Sequence, residues 1–238
     1  MNRDREYFEF IADLGMTKHY GSMDATRALI DLCGIEEDST VLDVGCGVGA
    51  TPHYLAENVG CRVVGVDLIE RMIEQSRTRA RAGEIRDRVH FAVADARALP
   101  LAEGRFDAVV AESVNVFFAD KVAAVRDYAR VTRPGGYVGI TEMTWLKPPS
   151  REMETAFEEM ARAKALDAEG WRVVMEAAGL VDVAGGARRI DLSAESRGRT
   201  ERYGVWALAK IILRMLGMLI GDRRARRAFL CNVRCAAP

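Results

Sequence analysis

Residues 41–49 read Val-Leu-Asp-Val-Gly-Cys-Gly-Val-Gly, and this stretch decides which fold the sequence predicts. A short apolar run bounded by glycines is typical of a buried strand. The glycines at alternate positions after it allow the backbone to turn tightly and to approach a ligand, because they carry no Cβ atom. The stretch therefore predicts a strand that ends in a ligand-binding loop.

The spacing of the glycines alone leaves two kinds of cofactor open. Gly45, Gly47 and Ala50 also satisfy the dinucleotide pattern G-x-G-x-x-G/A of nicotinamide-dependent oxidoreductases. Asp43 favours another cofactor, because a carboxylate two residues before the first glycine would repel a pyrophosphate. The methionine end of S-adenosylmethionine instead carries an ammonium and a sulfonium. The stretch resembles the first motif of the class I (Rossmann-like) S-adenosylmethionine-dependent methyltransferases, an acidic residue followed by G-x-G-x-G.

Two further aspartates follow predicted strands. Asp67 ends the run 61–66, and this fold class places there the carboxylate that accepts hydrogen bonds from the ribose hydroxyls. Asp67 is alternatively a helix cap for the segment that begins at Glu70, and the two roles are compatible. Asp95 follows the alternating run 89–94, and the resemblance implies that Asp95 and the backbone of Ala96 contact the adenine.

Strands and helices alternate regularly over residues 40–141. This alternation predicts an α/β fold, a doubly wound and mostly parallel Rossmann-like sheet with helices on both faces. We expect a helix after the glycine loop with Thr51 as its N-cap, a turn at 133–136, a cap helix at 151–164, and a sixth strand at 181–183. No seventh strand of the family's usual type is evident before the end of the chain.

The expected organisation has four parts. Residues 1–34 would form an N-terminal helical lid, 35–141 the cofactor-binding core and 142–168 a helical cap over the substrate. Residues 169–238 would complete the core and add an apolar stretch at 207–220 followed by basic residues. A basic amphipathic helix of this kind can lie on a membrane, but packing on its own domain or on a second copy in a homodimer is favoured.

The resemblance implies a set of site residues. Methyl transfer from a sulfonium is an in-line displacement that needs neither a metal nor a covalent intermediate, and a general base assists acceptors that must lose a proton. Tyr20, in the lid, and Glu142 are the candidate catalytic residues, with His19 and Glu112 as further possible bases. The expected cofactor contacts are Asp43, Gly45, Cys46, Gly47, Gly49, Asp67, Leu68, Met72, Asp95, Ala96 and Glu112.

The composition limits the partners. The 238 residues are 49% hydrophobic and 29% charged, typical of a soluble globular domain. The 34 basic and 35 acidic residues give a net charge of −1, so the overall field does not favour a nucleic acid or a membrane. The five cysteines lack the paired spacing of a metal site and are interpreted as reduced thiols. With a charged N-terminus and no long uncharged apolar run, the predicted location is the cytoplasm.

Three functions follow from the residues. The leading hypothesis is a methyltransferase that acts on a small-molecule acceptor, a lipid or quinone among them. The alternatives are an NAD-dependent oxidoreductase and a protein that binds S-adenosylmethionine without catalysis, for instance as a partner subunit. An arsenite methyltransferase is disfavoured, because only Cys46 has an evident reason to lie near the cofactor.

Overall fold

The computed structural model describes residues 8–9, 12, 22–82, 85–187, 189 and 213. The predictions for Tyr20, His19, the apolar stretch at 207–220 and a seventh strand lie outside these residues, apart from the single position 213. No helix within the described ranges is long and apolar enough to cross a bilayer.

Five parallel strands form the central sheet in the order β3-β2-β1-β4-β5. The strands run over Thr40–Val44 (β1), Arg62–Asp67 (β2), Val89–Val93 (β3), Phe106–Glu112 (β4) and Thr132–Thr141 (β5). The chain winds to one side of β1 through β2 and β3, and then crosses to the other side for β4 and β5. In open α/β sheets, ligands bind at such a switch point, outside the carboxyl ends of the strands.

Helices follow most of the strands. They are α1 (Ser22–Leu32), α2 (Ala50–Tyr54, continued by a π-helical turn over Leu55–Val59), α3 (Glu70–Ala82), α4 (Lys121–Val131), α5 (Arg151–Ala161) and α6 (Ala168–Ala177). A 3-10 turn covers Asn115–Phe117, and two short strands, β6 (Thr144–Trp145) and β7 (Leu166–Asp167), pair in parallel beside α5 and α6.

Alternate side chains of each strand enter separate cores on the two faces of the sheet. Val41 of β1 belongs to the core that contains Ile30 of α1 and Ile73 of α3, whereas Leu42 belongs to the core that contains Tyr128 of α4 and Val174 of α6. The predicted doubly wound α/β fold, with helices on both faces, is confirmed.

Some predicted boundaries were wrong. Residues 181–183 form no strand, because Val181 is 82% exposed and Asp182 has a φ of +54°, which extended backbone excludes. The helix after the glycine loop begins beyond Gly49, whose φ of +78° ends the loop, so Thr51 lies inside α2 and does not cap it. The cap helix ends at Ala161 rather than residue 164, because Arg162 turns the backbone into the left-handed region. The turn at 133–136 is present as a bulge, since pairing with β4 moves from Thr132 directly to Tyr137.

Candidate active site

The glycine loop is held against the end of β2. The amides of Gly45 and Cys46 both donate to the carbonyl of Val66, at 2.7 and 3.0 Å, and the amide of Gly47 donates to Asp67 Oδ2 at 3.0 Å. Gly45 has a φ of +72°, and a Cβ atom there would lie 2.4 Å from Cγ2 of Val114. The loop thus needs glycine at position 45 both for its backbone angle and for the approach of the segment after β4.

Asp43 is a buried carboxylate without a hydrogen-bond partner among the described residues. Its side chain is 3% exposed at the carboxyl end of β1, directly below the glycine loop. Burial raises the pKa of Asp43 well above its usual range, and the negative charges of Glu112 and Asp67 raise it further. An isolated buried carboxylate is costly, so this arrangement fits a ligand that brings a positive charge.

Glu112, at the end of β4, connects three elements. Thr26 of α1 donates its hydroxyl to Oε2 at 2.8 Å, and Thr51 of α2 donates to Oε1 at 2.7 Å. Because both oxygens are engaged, this carboxylate fixes the helices around the site and adds negative charge beside Asp43. The contact with the cofactor expected of Glu112 stays a prediction.

Asp67 is half-buried and closes the turn before α3. Its Oδ1 accepts from the amide of Ile69 at 2.8 Å while Oδ2 holds Gly47, so the carboxylate has the local capping role that the sequence also indicated. Burial raises its pKa, against the lowering effect of these amides. Leu68, next to it, is 51% exposed, and the contact with the cofactor expected of it stays a prediction.

Two other predicted contacts have buried side chains. Met72 is 5% exposed and packs in a cluster with Val48, Ile69 and Ala12. The side chain of Cys46 is 6% exposed within the core, and burial raises the pKa of its thiol well above the usual range. The backbone amide of Cys46 donates to Val66 and its carbonyl accepts from the amide of Gly49 at 2.9 Å, so the contact with the cofactor expected of Cys46 stays a prediction.

Asp95 follows β3 and is already paired. Arg97 donates to it through Nε at 2.9 Å and through Nη2 at 2.6 Å, and the backbone amide of Arg97 adds a bond of 3.0 Å. The hydrogen bonds from Arg97 hold the pKa of Asp95 below its usual value. An adenine amino group would therefore share this carboxylate with Arg97, and the neighbouring Ala96 packs partly against the core.

Glu142 follows β5 and lies beside the segment after β4. Its Oε1 accepts from the amide of Val114 at 3.0 Å and from the amide and side chain of Asn115 at 2.5 and 3.0 Å. Its Oε2 is buried and has no hydrogen-bond partner in the described part of the chain. Burial raises the pKa of Glu142 from 4.5 to about 7, against the lowering effect of the donated N–H groups. Val114, whose amide donates to Glu142, also contacts Gly45. A single residue, Val114, therefore separates Glu142 from the glycine loop.

The pKa of Glu142 predicts a pH-dependent effect of Glu142→Gln. The folded protein binds this proton more tightly than the unfolded chain, so the stability that the group contributes is fully present below 4.5 and is lost as pH rises through about 7. Glutamine does not titrate and keeps an oxygen for the three N–H groups. We expect the Tm of the variant minus the Tm of wild type to be a few degrees higher at about pH 8 than at about pH 5.

Scanning fluorimetry measures this difference in Tm, with Glu159→Gln on exposed α5 as control. An equal difference at both pH values would contradict the shifted pKa.

Two described residues before α1 contact the loop and the segment after β4. The ring of Phe8 meets the ring of Phe117 edge to face at 5.1 Å. Ala12 is buried with Val48 and Met72, and its carbonyl accepts from Gln75 Nε2 at 2.5 Å. Residues before α1 therefore contact both the glycine loop and the segment after β4.

Sequence patterns missed several residues that support the site. Thr26 and Thr51 hold Glu112, and Ser76, fully buried on α3, donates to the carbonyl of Gly47 at 2.9 Å. Asn115 holds Glu142, and its own Oδ1 accepts from the hydroxyl of Tyr128 at 3.0 Å. No local motif marks these residues, because each acts on a partner in another element.

Comparison with known proteins agrees with this geometry. A family model described as a methyltransferase domain matches residues 42–140. An uncharacterized protein of Haemophilus influenzae is 29% identical over 220 residues, which cover 89% of this chain and 86% of that one. Methyltransferase GfsG of Streptomyces halstedii is 32% identical over 160 residues, covering 65% of this chain and 57% of that one. The 2-methyl-6-phytyl-1,4-hydroquinone methyltransferase of Synechocystis is 30% identical over 155 residues, covering 60% of this chain and 47% of that one. The chain thus spans about half the length of the two named relatives.

Solved structures share the fold. The [4+2]-cyclase SpnF superimposes with a TM-score of 0.73 at 18% identity, covering 99% of this chain and 87% of that one. Phosphoethanolamine N-methyltransferase 2 of Haemonchus contortus, in complex with S-adenosyl-L-methionine, superimposes with a TM-score of 0.69 at 20% identity. The match covers 87% of this chain and 51% of that one. The matched domain contains the glycine loop, Asp67 and Asp95, and the resemblance inferred from these residues is confirmed. Over residues 42–140 the chain is similar to a methyltransferase domain, and its motifs and fold resemble those of the class I S-adenosylmethionine-dependent methyltransferases.

Proposed function

We propose that this protein transfers a methyl group from S-adenosylmethionine to a small organic acceptor at the carboxyl ends of β1, β4 and β5. The observation that carries the proposal is the buried carboxylate of Asp43, which precedes the glycine loop and has no hydrogen-bond partner in the described part of the chain. S-adenosylmethionine supplies an electrophilic methyl group when it is bound, and the chain has to bind, orient and exclude water.

The residues present fit this cofactor. Asp43 would hold the ammonium of the methionine end, with Glu112 and Asp67 adding negative charge around it. Asp67 would hold the ribose hydroxyls, since its oxygens have further lone pairs beyond the bonds to Gly47 and Ile69. The exposed side chain of Leu68 and the Asp95–Ala96 segment would contact the adenine.

Glu142 would accept a proton from the acceptor. Its Oε2 has no partner in the described part of the chain, and its pKa of about 7 matches a group that takes up a proton near neutral pH. Asn115 and the backbone of Val114 hold its other oxygen, so the carboxylate is oriented before an acceptor binds. Glu142 would serve any acceptor with an O–H or N–H group.

The lid and the cap would exclude water. Phe8, from the expected lid at 1–34, meets Phe117 after β4, and the expected cap at 142–168 contributes Met143, Phe157 and Leu166 to the cluster that contains Phe117. The names of the methyltransferases GfsG and 2-methyl-6-phytyl-1,4-hydroquinone methyltransferase support an organic acceptor. The likeness to a [4+2]-cyclase means that the fold by itself does not determine the reaction.

Calorimetric titration with S-adenosylhomocysteine tests the proposal. We expect wild type to bind and Asp67→Ala to bind at least tenfold more weakly, a loss of about 1.4 kcal/mol. Asp87→Ala, which removes an exposed carboxylate before β3, is the matched control and should bind as wild type does. Lack of binding by wild type, or binding of NAD in its place, would overturn the proposal. Equal affinity of Asp67→Ala would remove Asp67 from the cofactor site.

A further inference from the structure

We infer that the acceptor is a flat, mainly apolar molecule with a ring hydroxyl, bound at the aromatic wall formed by Phe117, Trp145 and Phe157. This inference rests on the proposed function and narrows its substrate class. Three kinds of observation carry it: the aromatic contacts, two buried polar atoms without partners, and the engagement of the nearby cation.

The wall joins the segment after β4 to the cap. Phe117 and Phe157 belong to one cluster with Trp171 and Met143, and Trp145 meets Phe157 edge to face at 5.3 Å. Phe117 also contacts Phe8 of the N-terminal segment. Aromatic side chains offer flat apolar surfaces, and pairs of rings are favourable beyond the area that they bury, so a planar ligand suits this wall.

Two polar atoms of the segment 142–145, which contains Trp145 of the wall, are buried without a hydrogen-bond partner among the described residues, and they are complementary. Glu142 Oε2 accepts hydrogen bonds, and Trp145 Nε1, three residues further on, can only donate. Leaving such atoms unpaired destabilises a protein, so an unpaired donor and acceptor in one short segment indicate a ligand that completes both. A ring hydroxyl does so, because it donates its proton to the carboxylate and accepts from the indole.

Trp171 differs from Trp145 in that its indole N–H has a hydrogen-bond partner. Its indole lies in the same cluster, but its Nε1 donates to the carbonyl of Met143 at 3.3 Å. The indole N–H of Trp171 is therefore used by the protein, whereas that of Trp145 has no partner among the described residues and is left for a ligand.

The charge near the wall does not favour a phosphorylated acceptor. The ammonium of Lys121 lies 5.9 Å from the ring centre of Trp171, but it donates to the carbonyl of Phe118 at 2.7 Å. Burial lowers the pKa of Lys121. A phosphate would also approach the carboxylate of Glu142, whereas a neutral hydroxylated ring carries no charge to be repelled.

The test titrates 1-naphthol into protein saturated with S-adenosylhomocysteine and compares Trp145→Phe with Trp171→Phe. Both substitutions keep an aromatic ring and remove one indole N–H. We expect Trp145→Phe to bind 1-naphthol about fivefold more weakly with little change in Tm. Trp171→Phe should lower the Tm and leave the affinity unchanged. Equal affinity of Trp145→Phe and wild type would overturn the assignment of the indole.

Two further probes test the chemical class. 1-Methoxynaphthalene keeps the rings but has no proton for Glu142, so it should bind at least fivefold more weakly than 1-naphthol. Phosphoethanolamine should not displace 1-naphthol, and displacement would overturn the inference in favour of a charged acceptor. Failure of S-adenosylhomocysteine to bind in the first titration counts against the proposed function. Failure of 1-naphthol alone to bind counts only against this inference.

Discussion

Asp43→Asn is expected to weaken the binding of S-adenosylhomocysteine at least 30-fold, which corresponds to about 2 kcal/mol. The physical reason is the position of the carboxylate, which is 3% exposed, has no hydrogen-bond partner among the described residues and lies in β1 two residues before the glycine loop. Asparagine keeps the shape of the side chain but brings no charge to an ammonium. Calorimetry on the purified variant at neutral pH measures the loss.

The same substitution should stabilise the protein without ligand. Burial and the charges of Glu112 and Asp67 raise the pKa of Asp43, so the folded state holds this proton more tightly than the unfolded chain does. The stability contributed by the protonated carboxyl is present below about pH 3.9, the unfolded value, and is lost as pH rises through the raised folded value. At about pH 8 the Asp43→Asn variant should therefore unfold at a higher temperature than wild type, and the difference should shrink as pH is lowered.

Asp38→Asn is the matched control, because Asp38 is exposed in the turn before β1. It should change neither the affinity for S-adenosylhomocysteine nor the Tm. Wild-type affinity in the Asp43→Asn variant would contradict the assignment of Asp43 to the ammonium. A variant that binds weakly and is also less stable than wild type would indicate a structural role for the carboxylate instead.

Leu42→Ala should lower the free energy of unfolding by about 3 kcal/mol. Leu42 has no exposed surface, lies in the central strand β1 and belongs to the core that includes Val109, Val125 and Tyr128. Truncation removes buried apolar surface and leaves a cavity that a sheet bonded on both sides cannot close. For a protein of this size the Tm should fall by about 6 to 12 °C.

Urea denaturation followed by circular dichroism measures this loss, and the midpoint should fall at an unchanged slope. Leu32→Ala is the control, because it is the same substitution at the end of α1, where the side chain is 63% exposed. Its effect should stay within about 0.5 kcal/mol. Similar losses in both variants would contradict the assignment of Leu42 to the core.

Much of the fold was predictable because its signals are local. The segment expected to begin at Glu70 is α3, and the runs 61–66 and 89–94 agree with β2 and β3 to within one residue at each end. Apolar periodicity reports which face of an element is buried, and glycine reports where the backbone turns. The failed sixth strand at 181–183 had the right residue types, but its exposed Val181 packs on no core, and residue type alone does not show that.

The site was only partly predictable. Asp43, Asp67 and Asp95 could be placed at strand ends, since in a parallel sheet those ends meet at one edge. Whether each carboxylate is free could not be predicted. Asp95 is engaged by Arg97, two residues away, whereas Glu112 is engaged by Thr26 and Thr51, at separations of 86 and 61 residues.

The sequence by itself determined the alternation of strands and helices over residues 40–141, the glycine loop, and the resemblance of that loop and the strand-end aspartates to the class I methyltransferases. Within the described residues, the tertiary structure alone decided that Asp43 stays unpaired, that Glu142 is oriented by Asn115 with one oxygen left over, and that Trp145 and not Trp171 has an unused N–H. The physical reason is that elements distant in the chain supply the hydrogen-bond partners of these side chains and shield them from water. Hydrophobic periodicity and glycine spacing encode only the conformation of the segment that contains them.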